Sequence, residues 1–139
     1  MKSARHSIGD LMKKKRILVA DSDKDICRSL YEFFKDDYEV FLVYDGKDVL
    51  QLISENNIEL LLTDLNIPNV YIYNLLNKIK EKFPELPIII MYVYCDSTQE
   101  MEDTIRKIAS AFFRKPFDLN ELKKRIELLV TNHYILDSN

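Results

Sequence analysis

The sequence predicts an α/β fold in which helices cover both faces of a five-stranded parallel sheet, giving a three-layer, doubly wound domain. Five short apolar runs alternate with five amphipathic stretches of helical period along the 139 residues. The runs are almost continuous in apolar residues, which indicates strands that are buried on both faces. Because crossovers between parallel strands are right-handed, four in succession favour a doubly wound sheet. By analogy with a common fold, we expect the flavodoxin-like strand order 2-1-3-4-5.

Each predicted element follows from its local pattern. The apolar runs predict strands at 17–20, 38–43, 58–63, 88–93 and 111–113. Apolar residues at helical spacing predict the first helix at 25–35, and Asp45 is expected to cap the second helix, which carries Val49 and Ile53. The third helix is expected to end before Pro84, because proline lacks a backbone N–H. Capping patterns at the segments 97–100 and 118–121 open the last two helices.

Charge is unevenly distributed along the chain, whose formal net charge is −3. Residues 1–16 contain six Lys or Arg and one Asp, whereas the remainder contains 14 basic and 22 acidic residues, a balance of −8. A domain this acidic is a poor candidate for direct nucleic-acid binding. We expect a basic N-terminal extension at 1–14, one domain at 15–133 and a C-terminal tail at 134–139.

The composition argues against several classes of site. The two cysteines, Cys27 and Cys95, do not form a Cys-x-x-Cys pair, which argues against a zinc site or a disulfide scaffold. With only two glycines, no dinucleotide-binding or P-loop motif can be written. No apolar run approaches the ~18–20 residues that span a bilayer. The N-terminus lacks the apolar stretch of a signal peptide, so we expect a cytoplasmic protein without membrane contact.

Three charged side chains are expected to meet at one edge of the predicted sheet. Asp21 follows the first strand, Asp64 the third and Lys115 the fifth. Because the carboxyl ends of parallel strands lie at one edge, and neighbouring strands are ~4.8 Å apart, Asp21 and Asp64 should share a pocket with Asp23 at its rim. Such a pocket, lined by hard oxygens, suits Mg²⁺. Lys115 would add a second positive charge beside the metal ion. Such an arrangement is typical of a site in which a carboxylate attacks phosphorus.

Three segments of the sequence resemble the motifs of a receiver domain of two-component response regulators: RILVADSD (16–23), LLTDLNIP (61–68) and RKPF (114–117). Pro87 before the fourth strand and Asp45-Gly46 after the second fit the same family in order and spacing. The resemblance covers about 15–130. It implies a signalling domain rather than a turnover enzyme. Its partners would be a sensor histidine kinase or phosphotransfer protein and a downstream protein target, and a homodimer is a further expectation.

The resemblance also implies roles for individual residues. Asp64 is expected to accept the phosphoryl group from a histidine of the partner. Asp21, Asp64 and the main-chain carbonyl of Asn66 are expected to hold Mg²⁺. Lys115 is expected to pair with the phosphorylated carboxylate, and the Lys115–Pro116 bond is expected to be cis.

The sequence departs from the family pattern at positions that bear on this chemistry. Ser22 stands where the family has a second acid that ligates the metal, so we expect weaker Mg²⁺ binding. Tyr92 stands where the family has Ser or Thr, and Phe112 stands at the position of its switch aromatic. We expect Tyr92 to hold Phe112 in one position and so to impair the switch. Small residues that are common in the family are replaced at Asn69, Tyr71, Ile72 and Ile108.

Two other functions remain open on the sequence alone. Asp21-Ser22-Asp23 resembles the nucleophile motif of haloacid-dehalogenase-like phosphatases, although Asp25 stands where that family has Thr or Val and no acidic pair follows Lys115 on a further strand. The other alternative is a receiver-shaped interaction module that never carries phosphate. Aromatic side chains that could cover a partner surface are Tyr71, Tyr73, Tyr92 and Tyr94.

Overall fold

The computed structural model describes residues 13–93 and 99–138. The strands are β1 (Lys15–Ala20), β2 (Tyr38–Val43), β3 (Leu60–Asp64), β4 (Ile88–Tyr92) and β5 (Ala111–Arg114). The helices are α1 (Lys24–Phe34), α2 (Val49–Asn56), α3 (Ile72–Lys82), α4 (Gln99–Ile108) and α5 (Leu119–Ser138). A 3₁₀ turn at Gly46–Asp48 precedes α2. Strands and helices therefore alternate along the described chain as the sequence predicts.

The five strands form one parallel sheet in the order β2-β1-β3-β4-β5, which confirms the predicted topology. In the central pair, Ala20 at the end of β1 lies opposite Thr63 of β3. The residues that follow, Asp21 and Asp64, therefore leave the sheet side by side. On the other side of β3, Asp64 lies opposite Met91 of β4.

Two apolar clusters, one on each face of the sheet, make the domain three-layered. Residues of alternate position along each strand point to opposite faces. Leu18 and Ala20 pack with residues of α2, α3 and α4, whereas Ile17 and Val19 pack with residues of α1 and α5. All four of these side chains are fully buried. Burial on both faces explains why the strand sequences are almost continuous runs of apolar residues.

The start of the second helix differs from the prediction. The Asp45 side chain accepts a hydrogen bond from the Lys47 N–H and so caps the 3₁₀ turn instead of the α-helix. Helix α2 begins only at Val49, and the preceding Asp48 makes no side-chain capping bond. The prediction that Asp45 caps the α-helix was therefore wrong by one short turn.

The last two helices can be compared with the predicted helix starts and with the predicted C-terminal tail. Asp118 caps α5 as expected, because its Oδ1 accepts from the N–H groups of Asn120 and Glu121. The first half of the capping pattern at 97–100 lies outside the described residues. Helix α5 continues to Ser138 and so runs into the segment predicted as a tail. The division of the chain at 14 and 133 remains a prediction.

Candidate functional site

Asp21, Asp64 and Lys115 meet at the carboxyl edge of the sheet and are called the charged cluster below. The Lys115 Nζ lies 2.7 Å from the Asp21 Oδ2 and 3.4 Å from the Asp64 Oδ1. The side chain of Asp21 is 1% exposed, and those of Asp64 and Lys115 are each 12% exposed. The structure therefore brings together three residues that are far apart in the sequence. Lys115 is closer to Asp21 than to Asp64, a preference that the sequence did not predict.

Backbone bonds fix Asp21 and Lys115 in place. The Asp21 N–H donates to the Val43 carbonyl at 3.0 Å, and the Lys115 N–H donates to the Tyr92 carbonyl at 2.7 Å. The Asp21 Oδ1 accepts from the N–H of Asp23 at 2.8 Å, while its Oδ2 faces Lys115. Both carboxylate oxygens of Asp21 are therefore engaged. The bond between Lys115 and Pro116 is cis, as the resemblance implies.

The electrostatics of the cluster follow from its burial. Burial and the neighbouring charge of Asp21 raise the pKa of Asp64, although Lys115 and the N–H of Asn66 oppose that rise. Burial alone lowers the pKa of Lys115, but its hydrogen bond to Asp21 and the charges of Asp21 and Asp64 outweigh burial and raise it. Lys115 therefore stays charged at neutral pH, and the two carboxylates share one compensating cation.

Asp23 caps helix α1 instead of completing an acidic pocket. Its Oδ1 accepts from the N–H of Asp25 at 2.9 Å and from that of Ile26 at 3.3 Å. This oxygen serves the first turn of α1, as an N-cap carboxylate commonly does. Ser22 between the two acids is exposed to solvent. Among the carboxylates that follow β1, only Asp21 reaches the charged cluster.

The oxygen donors at this edge match the chemistry of a small hard cation. Asp21 and Asp64 supply two carboxylates, and the exposed Asn66 follows Asp64 by two residues. Mg²⁺ accepts one or two carboxylates and retains several waters, so this donor set fits it. In the described ranges, 13–93 and 99–138, no group of three or more His, Cys, Asp or Glu is arranged to hold a metal. The fit therefore depends on two carboxylates, both of which also contact Lys115.

Tyr92 and Phe112, called the aromatic pair below, pack against each other near the charged cluster. Their ring centroids are 6.5 Å apart and their planes meet at 76°, an edge-to-face contact. The Arg106 guanidinium of α4 lies 5.0 Å from the centroid of the Phe112 ring. Both rings are half-buried, and they line a cavity of about 310 Å³ together with Leu65 and Ile105. Phe112 is therefore contacted from two sides.

Cys27 lies beneath the cluster without taking part in its chemistry. Its thiol donates to the main-chain carbonyl of Asp21 at 3.3 Å. Burial, followed by the charges of Asp21 and Asp23, raises the pKa of Cys27 to about 11. The side chain therefore remains a thiol at neutral pH. Cys95 lies outside the described residues.

Sequence reasoning did not anticipate a link between the loops after β2 and β3. The Gly46 N–H donates to the Pro68 carbonyl at 2.9 Å, and the Asn69 amide donates to the Asp45 Oδ2 at 2.5 Å. A Cβ at Gly46 would lie 2.3 Å from the Val70 Cγ2, so only glycine fits this approach. The signal in the sequence was the rarity of glycine, which stands at just two positions.

Comparison with known families identifies the family to which this fold belongs. The family model of the response regulator receiver domain matches residues 17–127 of this chain. This chain belongs to that family. It is a receiver domain of two-component signalling, and the charged cluster lies within the matched residues.

Curated relatives agree with this assignment. The receiver is 30% identical over 115 residues to the transcriptional regulatory protein CrdR of Helicobacter pylori. The aligned residues cover 82% of this chain and 54% of the relative. The receiver is also 30% identical over 122 residues to the response regulator RR06 of Streptococcus pneumoniae, covering 87% of this chain and 55% of the relative. The chain thus spans about half the length of the curated relatives it matches.

Solved structures show the same fold. The receiver domain of the Francisella response regulator 1452 is 28% identical, with a TM-score of 0.74 and coverage of 86% of this chain and 98% of that one. The response regulator TrrA of Thermotoga maritima, solved in complex with Mg(2+)-BeF, is 26% identical. Its TM-score is 0.72, with coverage of 83% of this receiver and 98% of that chain. Within the described residues of this receiver, no helix is both long and apolar enough to cross a bilayer.

Proposed function

We propose that Asp64 accepts a phosphoryl group from a histidine of a sensor kinase or phosphotransfer protein. The observation that carries the proposal is the charged cluster, in which Lys115 Nζ lies 3.4 Å from the Asp64 Oδ1 at the open edge of the sheet. A carboxylate oxygen of Asp64 attacks phosphorus, an O–P bond forms, and the N–P bond to the partner's histidine breaks. The electron pair of that bond stays on the imidazole nitrogen. The product is an acyl phosphate on Asp64.

Lys115 and Asp21 support this transfer in different ways. Lys115 neutralises negative charge on the phosphoryl oxygens as they approach Asp64, because its ammonium already faces that carboxylate. Asp21 holds Lys115 in place through the 2.7 Å contact. When bound, Mg²⁺ would be held by Asp21, Asp64 and the Asn66 carbonyl and would offset further charge on the phosphoryl group. A family relative solved with Mg(2+)-BeF supports this part of the proposal.

We further propose that Mg²⁺ binds more weakly here than in a receiver with two adjacent acids after β1. Ser22 is exposed and offers a hydroxyl, which is a poorer ligand for a hard dication than a carboxylate. Asp23 does not substitute for the missing acid, since its Oδ1 caps α1. Asp21 must also share its oxygens with Lys115 and the Asp23 N–H.

We propose that the switch at the aromatic pair is impaired. Tyr92 fills space beside Phe112 with a ring that contacts it edge to face, and Arg106 covers the Phe112 ring from α4. A small side chain at position 92 would leave room on that side of Phe112 into which its ring could move, whereas the Tyr92 ring stands on that side, although both rings also line the cavity of about 310 Å³. Phosphorylation of Asp64 is therefore expected to leave Phe112 in place.

The proposed biological role is that of a phosphoacceptor in a relay, without turnover. Its partners are the phosphoryl donor and a downstream protein target, with a homodimer as an additional form and no direct contact with nucleic acid or membrane. The excess of acidic residues after residue 16 supports the absence of nucleic acid among the partners. A cytoplasmic location belongs to the same proposal.

The experiment is incubation with a small phosphodonor and Mg²⁺, followed by intact-mass measurement. The expected result is the addition of one phosphoryl group to the wild type and none to Asp64→Asn. Rapid and stoichiometric labelling would contradict the proposal that the metal site is impaired, but it would leave the acceptor role of Asp64 intact. Absence of labelling over long incubation, in a folded wild-type protein, would favour the alternative of a phosphate-free interaction module.

The position of Asp23 argues against the phosphatase alternative. It requires the carboxylates of Asp21 and Asp23 to face one substrate, but the Asp23 Oδ1 accepts hydrogen bonds from the first turn of α1. Asp21 in turn is 1% exposed and bound to Lys115. Failure to hydrolyse a generic phosphate ester is the expected result, and sustained turnover would contradict it.

A further inference from the structure

A second cavity lies away from the charged cluster, between the 3₁₀ turn and helix α3, and is called the turn–α3 cleft. Its volume is about 260 Å³. The cleft is lined by Gly46, Lys47, Leu50, Val70, Tyr71, Asn74, Leu75 and Lys78. Three of these side chains are aliphatic and two are cationic. Small-molecule sites usually measure about 300–1,000 Å³, so this cleft suits one anchoring side chain better than a metabolite.

The charge of the cleft is opposite to that of the domain around it. Residues after 16 carry a balance of −8, yet both charged residues that line the cleft, Lys47 and Lys78, are cationic. Lys47 is 65% exposed and lies 3.9 Å from Asp45, a contact that contributes little in water. Within the described part of the chain, Lys78 makes no ion pair. The cleft therefore offers an apolar floor between two cations whose charge is poorly compensated.

One wall of the cleft is the loop that begins at the proposed acceptor. The Ile67 N–H donates to the Asp64 main-chain carbonyl at 3.4 Å, and the Pro68 carbonyl accepts from the Gly46 N–H at 2.9 Å. Val70 then lines the cleft and packs so near Gly46 that a Cβ there would lie 2.3 Å from the Val70 Cγ2. A continuous set of contacts therefore joins Asp64 to the cleft within six residues of chain.

We propose that the turn–α3 cleft docks a short acidic segment of a partner protein, with one large apolar side chain inserted between Lys47 and Lys78. A large side chain buried in a desolvated pocket, ringed by contacts that exclude water, is the usual anatomy of an energetic centre in an interface. The acidic character of the partner follows from the two cations at the rim. The partner's docking strength responds to the state of Asp64 through the shared loop, and only this last step rests on the proposed function.

The test uses a fluorescein-labelled synthetic peptide with one phenylalanine flanked by glutamates, titrated into the full chain. Fluorescence anisotropy gives the affinity, and backbone amide NMR shifts locate the peptide. The expected result is shifts at Gly46, Val70 and Lys78. A peptide with alanine for phenylalanine, or with lysines for glutamates, is expected to lose most of the binding. Shifts confined to β4, β5 and α4, or no binding at all, would overturn the proposal.

Two double charge-reversal variants test the role of the cations, one inside the cleft and one outside it as the matched control. The double variant Lys47→Glu/Lys78→Glu is expected to weaken the peptide about tenfold, because two favourable contacts become repulsive. Lys80→Glu/Lys82→Glu makes the same change of net charge on α3 outside the cleft and is expected to change affinity by less than about twofold. Equal losses in both double variants would mean a non-specific charge effect and would contradict the proposal.

Coupling to Asp64 is tested separately from docking. Beryllofluoride with Mg²⁺, a mimic of the phosphoryl group, is expected to change the peptide affinity at least about threefold in the wild type and not in Asp64→Asn. Docking without this change would refute the coupling and leave the docking surface. Docking together with a failure of Asp64 to accept phosphate would refute the proposed function alone.

Discussion

The charged cluster and the aromatic pair lie at the same edge of the sheet but are held by different forces. In the cluster, one lysine bridges two nearly buried carboxylates at 2.7 and 3.4 Å. In the pair, two half-buried rings contact each other at 6.5 Å without any charge between them. A phosphoryl group on Asp64 adds negative charge, to which the cluster responds directly and packed rings respond only if space is available. From this comparison we propose a receiver whose acceptor chemistry is better preserved than its switch.

The largest expected effect comes from removing the lysine of the cluster. Lys115→Met leaves Asp21, which is 1% exposed, without its compensating charge, so the free energy of unfolding should fall by about 3 kcal/mol. The rate of labelling by a small phosphodonor should fall about 100-fold. Chemical denaturation and time-resolved intact mass measure the two effects.

An exposed ion pair provides the control for Lys115. Lys123 lies 3.3 Å from Asp37, with side chains 39% and 56% exposed. Lys123→Met should therefore change the free energy of unfolding by less than about 0.5 kcal/mol. Similar losses for the two variants would show that the charged cluster is no more than a surface pair.

The next largest effect is expected at the proposed metal site, where a second acid can be introduced. Ser22→Asp restores a second acid after β1 and should tighten Mg²⁺ binding about tenfold, because a carboxylate is a stronger ligand than a hydroxyl. Isothermal titration calorimetry measures the affinity. Ser29→Asp adds the same charge to an exposed position of α1 and should have little effect. Unchanged affinity in Ser22→Asp would contradict the inference that Ser22 weakens the site.

A smaller effect is expected from pH. Because the folded-state pKa of Asp64 is raised by burial and by Asp21, its ionised form destabilises the fold. The stabilising contribution of the protonated form is present below the unfolded-state pKa and is lost as pH rises through the folded-state pKa. Asp64→Asn should therefore be more stable than the wild type at neutral pH, and the difference should shrink as the solution is acidified. Urea denaturation across pH measures it, and a difference that grows towards acid would reverse the assigned sign.

The smallest effect is a change of ring position at the aromatic pair. In Tyr92→Thr, we expect beryllofluoride with Mg²⁺ to shift the Phe112 ring resonances, because space opens beside that ring. In the wild type and in Tyr92→Phe, which keeps the ring and loses only the hydroxyl, these resonances should stay in place. Large shifts in the wild type would show that Tyr92 does not impair the switch.

The sequence predicted the parts of the molecule that depend on pattern and topology. Apolar runs and the right-handed crossover rule predicted a doubly wound parallel sheet, and analogy with a common fold supplied the strand order. That order placed Asp21, Asp64 and Lys115 at one edge. The sequence could not choose between Asp23 as a helix cap and as part of the pocket, since both require the same residue at the same position. It also missed the preference of Lys115 for Asp21, which is a difference between contacts of 2.7 and 3.4 Å. The 3₁₀ turn capped by Asp45 was missed as well.

Mapping the phosphorylated residue is the most direct test of whether the charged cluster is a phosphoacceptor site. After reaction with a small phosphodonor and Mg²⁺, borohydride reduces an acyl phosphate of aspartate to homoserine, which peptide mass spectrometry locates. We expect homoserine at position 64 and at no other acidic residue. Homoserine at Asp21, Asp23 or a surface aspartate, with position 64 unmodified, would contradict the assignment of Asp64 as the acceptor.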